Sequence, residues 1–299
     1  MRTLCLGEAI VDLVCERPVA SVAEADRFSA HFGGATANVA VACARAGGAV
    51  ALAGGAGDDV WGAWLRERLE AEGVDLGWFR LVGGLRTPVA FVTVDADGEP
   101  SFSIYGDGIE ATVEAVGPRL LDAVEANDAF FFASNTLVGE GERALTLSAR
   151  ERALELGRPV VLDPNLRLAR WTSPAAAAGE VRGCLDGAFL VKCNRQEAAL
   201  ITGEDEPEAA AAGLLAAGVR HVVITLGGQG AILRAPGLRR DVPGLRAPVV
   251  NTVGAGDAFV GLLLARLGAT DFYPPALAAG LPDAVAAAAQ AVGRWGAIE

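Results

Sequence analysis

A loop of small residues near the carboxyl end of the chain runs straight into an apolar segment. It reads Asn251-Thr252-Val253-Gly254-Ala255-Gly256-Asp257, followed by Ala258-Phe259-Val260-Gly261-Leu262-Leu263-Leu264. Small side chains let backbone N–H groups approach a ligand, and a helix N-terminus adds free donors and partial positive charge, so this arrangement suits a bound anion. The pattern predicts a loop that opens into a buried helix and holds a phosphoryl group during its transfer.

Asp257 stands at the predicted start of this helix, where a carboxylate has two interpretations. Aspartate is a preferred N-cap, because its side chain accepts a hydrogen bond from the first backbone N–H groups. A carboxylate beside a bound phosphoryl group is also suited to act as the general base for an attacking hydroxyl. The glycine-rich loop in front of Asp257 favours the second interpretation, and the first stays open.

Outside this loop, short apolar strands alternate with helical segments along most of the chain. Strands are expected within residues 4–14, 50–53, 129–133, 159–162, 189–192 and 221–226, and helices within 35–46, 61–72, 142–156, 207–217, 257–267 and 283–292. This alternation predicts an α/β fold whose mostly parallel sheet is covered by helices on both faces. Residues 87–105 differ, since two strand-like runs flank Asp95-Ala96-Asp97-Gly98, which indicates a β-hairpin.

The composition excludes several classes of partner. The chain has 299 residues, of which 52% are hydrophobic, and a net charge of -12, so it can bury a full core and offers no basic surface to nucleic acid or anionic lipid. The opening apolar run is too short for a signal peptide, and glycine pairs interrupt residues 38–57, which argues against a membrane span. Five scattered cysteines without a C-x-x-C pair indicate reduced, buried thiols and predict a cytoplasmic protein.

Familiar nucleotide motifs are missing or weak. Lys192 is the only lysine, and no Gly-Lys pair exists, which excludes a Walker A loop. Neither His31 nor His221 is followed by Arg-Asp, which excludes a protein-kinase catalytic loop. Residues 106–111 fit the dinucleotide pattern G-x-G-x-x-A, but they follow a hairpin strand and no apolar helix comes after them. A dehydrogenase is therefore disfavoured.

Six motifs, in order, resemble those of the ribokinase-like (PfkB) carbohydrate kinases and of their fructokinase-like branch. They are Gly7-Glu8-Ala9-Ile10-Val11-Asp12, Gly33-Gly34-Ala35-Thr36-Ala37-Asn38-Val39-Ala40, Asp163-Pro164-Asn165-Leu166-Arg167 with Trp171, Asn194-Arg195-Gln196-Glu197, Thr225-Leu226-Gly227-Gly228-Gln229-Gly230, and the loop at 251–257. The resemblance implies a three-layer α/β sandwich over residues 1–299, with a small β-sheet lid from about 13–32 and 86–108. It also implies ATP-dependent phosphorylation of a primary hydroxyl of a small sugar, fructose first, in a homodimer that associates through the lid.

The resemblance implies a role for each matched position. Asp257 is the implied base, with the N–H groups of Gly254, Ala255, Gly256 and Asp257 as the anion hole. The implied sugar-binding residues are Asp12, Gly33, Gly34, Asn38 and Arg167. The implied nucleotide-binding residues are Asn194, Glu197, Thr225, Gly227 and Gly230. Glu197 is also implied to organise Mg2+, in part through water, because Mg2+ tends to keep its waters.

Purely structural interpretations remain for several of these positions. Asn38 can be a surface amide, Asn194 and Glu197 a solvated helix face, residues 227–230 a plain hairpin turn, and Arg167 an ion-pair partner.

Two departures from the family pattern leave further questions open. Asn251 replaces an aspartate, which leaves activation by a monovalent cation such as K+ undecided. Tyr105-Gly106-Asp107 lacks the arginine that often follows the aromatic residue, which leaves the sugar undecided. The alternatives are 2-keto-3-deoxygluconate kinase, ribokinase, a nucleoside or aminoimidazole riboside kinase, and a catalytically silent sugar- or nucleotide-binding protein.

Overall fold

The computed structural model describes residues 1–96, 98, 100–106 and 108–298. Its strands are β1 (Arg2–Leu6), β2 (Ile10–Val14), β3 (Ser29–Gly33), β4 (Ala49–Gly57), β5 (Phe79–Val82), β6 (Val89–Val94), β7 (Pro100–Tyr105), β8 (Ala129–Ala133), β9 (Val160–Asp163), β10 (Leu190–Asn194), β11 (His221–Thr225), β12 (Gly230–Ala235) and β13 (Leu238–Pro243). Its α-helices are α1 (Ala35–Arg45), α2 (Val60–Ala71), α3 (Ile109–Glu114), α4 (Leu120–Glu125), α5 (Glu140–Glu155), α6 (Pro174–Arg182), α7 (Arg195–Thr202), α8 (Pro207–Ala216), α9 (Ala255–Gly268) and α10 (Pro275–Ala291).

A nine-stranded sheet forms the centre of the molecule, in the order β13-β12-β11-β10-β9-β8-β1-β4-β5. Its neighbours run parallel except at β11–β12 and β12–β13, which are antiparallel. The order reverses between β1 and β8, because the chain leaves β1 toward β4 and β5 and later returns on the other side. Such a switch point, at the carboxyl ends of the strands, is where open α/β sheets bind ligands.

Helices cover both faces of this sheet, which confirms the predicted three-layer fold. One core lies beneath α1, α9 and α10 and contains Phe131 and Leu263. The other lies beneath α5, α6, α7 and α8 and contains Phe130 and Leu214. Apolar residues fill both faces of the central strands, and burial of such strands on both sides is typical of parallel sheets.

Close packing of α1 on α9 brings the two halves of the sequence together. A Cβ at Gly261 of α9 would overlap the side chain of Ala42 on α1. The missing side chain therefore lets the two helix backbones approach. The first turn of α1, which carries Asn38, thereby comes to lie beside the first turn of α9.

The first apolar run folds differently from the expectation of one strand over residues 4–14. It forms β1 in the large sheet and β2 in the small one, separated by residues 7–9. Gly7, at φ 156, ends β1, and a Cβ there would overlap Thr36. Asp12 therefore lies in the middle of β2, paired with His31 of β3, and not at the carboxyl end of a parallel strand.

The second sheet is small, with the order β3-β2-β6-β7. The predicted hairpin is its β6–β7 pair, although Asp97 of the proposed turn lies outside the described residues. The sheet combines residues 10–14 and 29–33 with residues 89–105, so it begins slightly before the expected residue 13. Its role as a lid stays a prediction.

The structure also bears on the expectations about a membrane span, the G-x-G-x-x-A match and the cysteines. Among the described residues, each helix is too short or too polar to cross a bilayer. The G-x-G-x-x-A match includes Asp107, which lies outside the described residues, and the helix that follows it, α3, has six residues. The five cysteines are free and buried.

Candidate active site

Three adjoining cavities lie along the carboxyl edge of the large sheet. The apolar cavity, of about 600 Å³, is bordered by Thr225, Val285 and the turn at 227–230. The central cavity, of about 440 Å³, is bordered by Lys192 and Glu197. The acidic cavity, of about 480 Å³, is bordered by Glu8, Asp12 and Asp257 among others. The central cavity shares Gly256 with the apolar cavity and shares Asp257 and Arg167 with the acidic one. Two ligands, one in the apolar cavity and one in the acidic cavity, can therefore come into contact in the central cavity.

Helix α9 begins where the three cavities join. Its N-cap is Gly254 in the left-handed conformation (φ 77), and a Cβ at Gly254 would overlap the Ala297 carbonyl. The backbone N–H groups of Ala255, Gly256 and Asp257 belong to the first turn, which has no carbonyl of its own helix to bind. The loop therefore presents free donors and the positive end of the helix dipole to an anion, as its sequence predicts.

Asp257 is the third residue of α9, so the interpretation of this side chain as an N-cap is wrong. It is 5% exposed, and each carboxylate oxygen accepts one hydrogen bond from an amide. Asn38 donates to Oδ2 at 2.9 Å, and Asn165 donates to Oδ1 at 3.1 Å. The two amides fix the orientation of the carboxylate and leave it further lone pairs for a ligand proton.

Burial perturbs the protonation of two carboxyl groups in the acidic cavity. Desolvation raises the pKa of Asp257 to about 6, against the lowering effects of the Asn38 hydrogen bond and the Arg167 charge. Desolvation also raises the pKa of Asp12 to about 7, and the nearby charge of Asp257 raises it further. Perturbed carboxyl groups in a cleft are typical of functional sites.

Asn38 is not a surface amide, because it is 3% exposed on α1. Its Nδ2 binds Asp257, while its Oδ1 is buried without a hydrogen-bond partner. Asn38 therefore positions the Asp257 carboxylate and also offers an acceptor to the acidic cavity.

The glycine pair before α1 makes room for polar groups. A Cβ at Gly33 would overlap the Asp12 carboxylate, and one at Gly34 (φ 93) would lie 2.6 Å from the Glu8 carbonyl oxygen. Asp12 is 4% exposed, and its Oδ1 has no hydrogen-bond partner. The structure therefore brings Asp12, Gly34 and Asn38 together around the acidic cavity, as expected, with Gly33 directly behind Asp12.

Glu8 and Asn135 belong to the same cavity, and sequence reasoning missed both. Asn135 follows β8 and donates to Glu8 Oε1 at 3.0 Å, so this contact bridges the switch point between β1 and β8. The Ala35 N–H donates to the same oxygen at 3.0 Å. Glu8 Oε2 and Asn135 Oδ1 are buried and unpaired. In the sequence, the Gly-Glu pair directly after an apolar strand could have indicated Glu8 as a site residue. No sequence pattern indicated Asn135.

Asn194 and Glu197 form a capping box at the start of α7. The Glu197 N–H donates to Asn194 Oδ1, and the Asn194 N–H donates to Glu197 Oε2, both at 2.9 Å. Glu197 Oε1 also accepts from the Leu166 N–H at 2.8 Å. Glu197 is 8% exposed, so the solvated helix face is wrong. Desolvation and the Asp163 charge raise its pKa.

The contacts of Glu197 favour a metal ion that binds through water. Both of its oxygens already accept backbone N–H groups, and no group of three His, Cys, Asp or Glu side chains suited to hold a metal occurs among the described residues. Mg2+ usually keeps several waters and binds through one or two carboxylates together with phosphates. The donor set of the central cavity therefore suits Mg2+ that arrives with a nucleotide.

Asp163 is the last residue of β9, Asn165 and Arg167 follow it, and all three border the central cavity. Asn165 takes a left-handed conformation (φ 39), and its N–H donates to Asp163 Oδ1 at 3.2 Å. Arg167 lies 5.8 Å from the centre of the Phe102 ring and makes no ion pair with the described residues. It borders both the central and the acidic cavity, where its charge is available to a ligand.

The apolar cavity contains the remaining predicted nucleotide residues. Thr225 ends β11, and the turn at 227–230 connects it to the antiparallel β12. This turn is thus a hairpin turn and a cavity wall at the same time. Val249, Val285, Ala288 and Val292 supply apolar lining to the same cavity. A flat, partly apolar group such as a nucleotide base suits a cavity of this kind.

Asn251 occupies the position where the family pattern has aspartate. It is 1% exposed; its Nδ2 donates to the Arg294 carbonyl, and its Oδ1 accepts from the Val253 N–H at 2.7 Å. The amide thus ties the anion loop to the carboxyl-terminal segment. An aspartate cannot make the first of these contacts, because it has no donor.

Known proteins resemble this chain over most of its length. The family described as pfkB family carbohydrate kinase matches residues 2–299. Fructokinase-1 of Oryza sativa subsp. japonica is 37% identical over 262 residues, which is 87% of this chain and 81% of the relative. Fructokinase-2 of Solanum habrochaites is 34% identical over 262 residues, 87% of this chain and 80% of the relative.

Solved structures agree with these relatives. Aminoimidazole riboside kinase from Salmonella enterica, complexed with aminoimidazole riboside and an ATP analogue, superposes with a TM-score of 0.84 at 28% identity, covering 100% of this chain and 95% of its own. A double mutant of fructokinase from Vibrio cholerae O395, in the form bound to fructose, ADP and potassium ion, gives 0.82 at 30% identity, covering 99% and 94%.

Proposed function

Because the chain belongs to the pfkB family of carbohydrate kinases, we propose that it transfers a phosphoryl group from ATP to a primary hydroxyl of a neutral sugar, with fructose the first candidate. One observation supports this most directly. The buried Asp257 carboxylate lies where the acidic and central cavities join, directly after the Gly254-Ala255-Gly256 run that presents backbone donors to an anion.

Asp257 acts as the general base in this proposal. With a pKa of about 6 it is ionised at neutral pH, yet basic enough to take a proton as the sugar oxygen attacks. Asn38 and Asn165 keep its oxygens oriented. The N–H groups of Gly254, Ala255, Gly256 and Asp257 bind the phosphoryl oxygens, where negative charge accumulates during transfer.

ATP occupies the apolar and central cavities. Its base lies between the turn at Gly227–Gln229, with Gly230, and the residues of α10, near Thr225. Its phosphates point toward Gly256. Asn194 and Glu197 organise Mg2+ through water, and the ion offsets phosphate charge. These roles rest on the positions of the residues around the two cavities.

The sugar occupies the acidic cavity, whose chemistry favours a neutral polyol. Glu8, Asp12 and Asp257 bring three carboxyl groups to it, and a sugar carboxylate would meet their repulsion. The unpaired oxygens of Glu8, Asp12, Asn38 and Asn135 are acceptors, which hydroxyl donors of a polyol can satisfy. A buried acceptor left unpaired costs free energy, so ligands without hydroxyl groups are disfavoured.

The small sheet acts as the lid of the acidic cavity and as a dimer surface. Phe102 and Ile104 of β7 border the cavity, so the sheet can keep water from competing with the sugar as acceptor. Phe28, Phe91 and Tyr105 form a row of edge-on ring contacts. An aromatic patch of this kind suits a second copy of the chain. Five free, buried cysteines support placement in the cytoplasm.

Potassium ion is not required in this proposal. The neutral Asn251 side chain already binds the Arg294 carbonyl, so one candidate oxygen ligand is used and the aspartate charge is missing. The binding free energy of a K+ ion is therefore less favourable here than at a site with a carboxylate.

A screen of ADP release tests the proposed function. The purified chain is given ATP, Mg2+ and one acceptor at a time from sets of neutral sugars, sugar acids and nucleosides, in K+ and in Na+. We expect the highest kcat/KM with fructose and little difference between the two salts. Preference for aminoimidazole riboside or for a sugar acid would overturn the choice of sugar, with Arg167 as the partner of the acid. No ADP release with any acceptor would overturn the function.

A further inference from the structure

Lys192, the only lysine of the chain, lies in the wall of the central cavity. It is the third residue of β10 and is 5% exposed. Its ammonium forms an ion pair with Asp163 Oδ2 at 2.9 Å. Within the part of the chain that the structure describes, Asp163 is the one hydrogen-bond acceptor that contacts it. An ammonium has three donors, so two N–H groups are left for something that enters the cavity.

The ammonium also lies directly against the anion loop. A Cβ built on Gly256 would be 2.9 Å from Lys192 Nζ. Gly256 therefore leaves space for the ammonium beside its own backbone N–H. An anion held by the first turn of α9 would meet the Lys192 donors from the other side.

The charged groups around the central cavity indicate what the Lys192 ammonium can bind. Asp163, Glu197 and Asp257 contribute carboxyl groups, whereas Lys192 and Arg167 contribute positive charge. Arg167 is exposed at the rim, so Lys192 is the buried cation of the cavity. A phosphoryl group gains most from a cation that is fixed in a low-dielectric site and needs no reorganisation.

We propose that the Lys192 ammonium donates hydrogen bonds to the phosphoryl group while it moves from ATP to the sugar, and that Asp163 holds the ammonium in place. The sugar oxygen bonds to the γ-phosphorus, the bond from that phosphorus to the ADP oxygen breaks, and the hydroxyl proton passes to Asp257. Lys192 keeps its proton throughout. The proposal rests on the kinase function given above.

A double-mutant cycle separates this role from a merely structural one. Lys192→Met alone would leave Asp163 buried without a counter-ion, and loss of stability would confuse the result. The decisive comparison is therefore Asp163→Asn against Asp163→Asn/Lys192→Met, because the carboxylate that pairs with Lys192 is absent from both variants. In that background we expect Lys192→Met to lower kcat by about 100-fold or more, the typical effect of removing a donor to a developing charge.

The comparison requires that Asp163→Asn and Asp163→Asn/Lys192→Met have the same stability and the same affinity for sugar and ADP. Melting temperatures and the Kd values for sugar and ADP should stay close between the two, because the donor acts on the group in transfer. Arg266→Met, which removes an exposed positive charge at the far end of α9, is the matched control and should leave kcat unchanged. A fall in kcat of less than about threefold on adding Lys192→Met would overturn the proposal and leave Lys192 as a counter-ion for Asp163.

A single lysine also allows a direct observation. Protein labelled with 13C-lysine gives one lysine side-chain signal. ADP with aluminium fluoride, a mimic of the phosphoryl group in transfer, should shift that signal in the presence of sugar, whereas sugar alone should leave it in place. An unchanged signal with bound ADP and aluminium fluoride would overturn the proposal. Absence of any ATP turnover by the unaltered chain would instead refute the kinase function itself.

Discussion

Replacing the Asp257 carboxylate by an amide removes the proposed base with almost no change of shape. We expect Asp257→Asn to lower kcat by about two to four orders of magnitude, the usual effect of losing a general base. The oxygen of the new amide can accept from one of Asn38 and Asn165. The other asparagine can turn its own Oδ1 toward the new NH2 group, so the Kd for ATP and the melting temperature should change little. Steady-state kinetics and calorimetry check this. Turnover above half of the original value would rule out Asp257 as the base.

The protonation of Asp257 sets the acid side of the pH profile. A base must be ionised to act, and burial raises its pKa from 3.8 to about 6, so activity is lost as pH falls through that value. We expect kcat/KM to decline by at least about tenfold per pH unit below this point, because Asp12, whose pKa is raised to about 7, takes up a proton in the same range. Measurement of initial rates from about pH 5 to about pH 8 tests it. A decline centred near 4 would show a solvated carboxylate and contradict the assignment.

Asp12 should act on the sugar and not on the nucleotide. Asp12→Ala removes a buried carboxyl group from the acidic cavity, and the loss of its hydrogen bond to a sugar hydroxyl should raise the KM for the sugar by about 10-fold to 100-fold. The Kd for ATP, measured without sugar, should remain the same. Asp26→Ala provides the matched control, because it removes an exposed carboxylate that pairs with Arg17. Weaker ATP binding with an unchanged KM for the sugar would show that Asp12 contacts the nucleotide and not the sugar.

Whole elements depend on backbone geometry at single glycines. Gly34 (φ 93) and Gly73 (φ 83) both have left-handed conformations, but a Cβ at Gly73 meets no atom within 4 Å, whereas one at Gly34 approaches the Glu8 carbonyl oxygen at 2.6 Å. Gly73→Ala should lower the free energy of unfolding by about 1–2 kcal/mol, and Gly34→Ala should lower it by more, because its Cβ also overlaps a backbone oxygen. Only Gly34→Ala should also displace the start of α1 and weaken sugar binding.

Thermal unfolding and sugar titration separate the two effects. We expect both variants to lose stability, Gly34→Ala more than Gly73→Ala, and only Gly34→Ala to lose sugar affinity. Normal sugar affinity in Gly34→Ala would mean that residues 33–38 do not position the sugar. The comparison holds at the level of the element, because the glycine sets where α1 begins and thus where Asn38 lies.

At the scale of the whole molecule, the small sheet should join two copies. We expect light scattering to give twice the mass of one chain. Tyr105→Glu should yield monomers, because it places a charge within the aromatic row of Phe28 and Phe91. Tyr273→Glu is a close control, since both tyrosines are 62% exposed and Tyr273 lies outside the small sheet. A dimer that survives Tyr105→Glu would contradict this surface.

Much of the fold was accessible from local patterns. Alternating apolar runs predicted the parallel sheet and its two helical layers, because burial on both faces leaves a mark on each strand separately. The loop before α9 was equally readable, since glycines and an apolar helix stand together in the sequence. The split of residues 4–14 between two sheets was not, because both halves are equally apolar and only strand pairing distinguishes them.

By itself, the sequence determined the α/β class, the hairpin of the small sheet, the anion loop and Asp257 as the candidate base. The tertiary structure alone decided which distant side chains meet. The Asn38–Asp257 and Asn135–Glu8 contacts join residues 219 and 127 positions apart, and Lys192 meets Asp163 across neighbouring strands. Periodicity records whether a residue is buried, whereas the order of strands in the sheet determines beside which other residue it is buried.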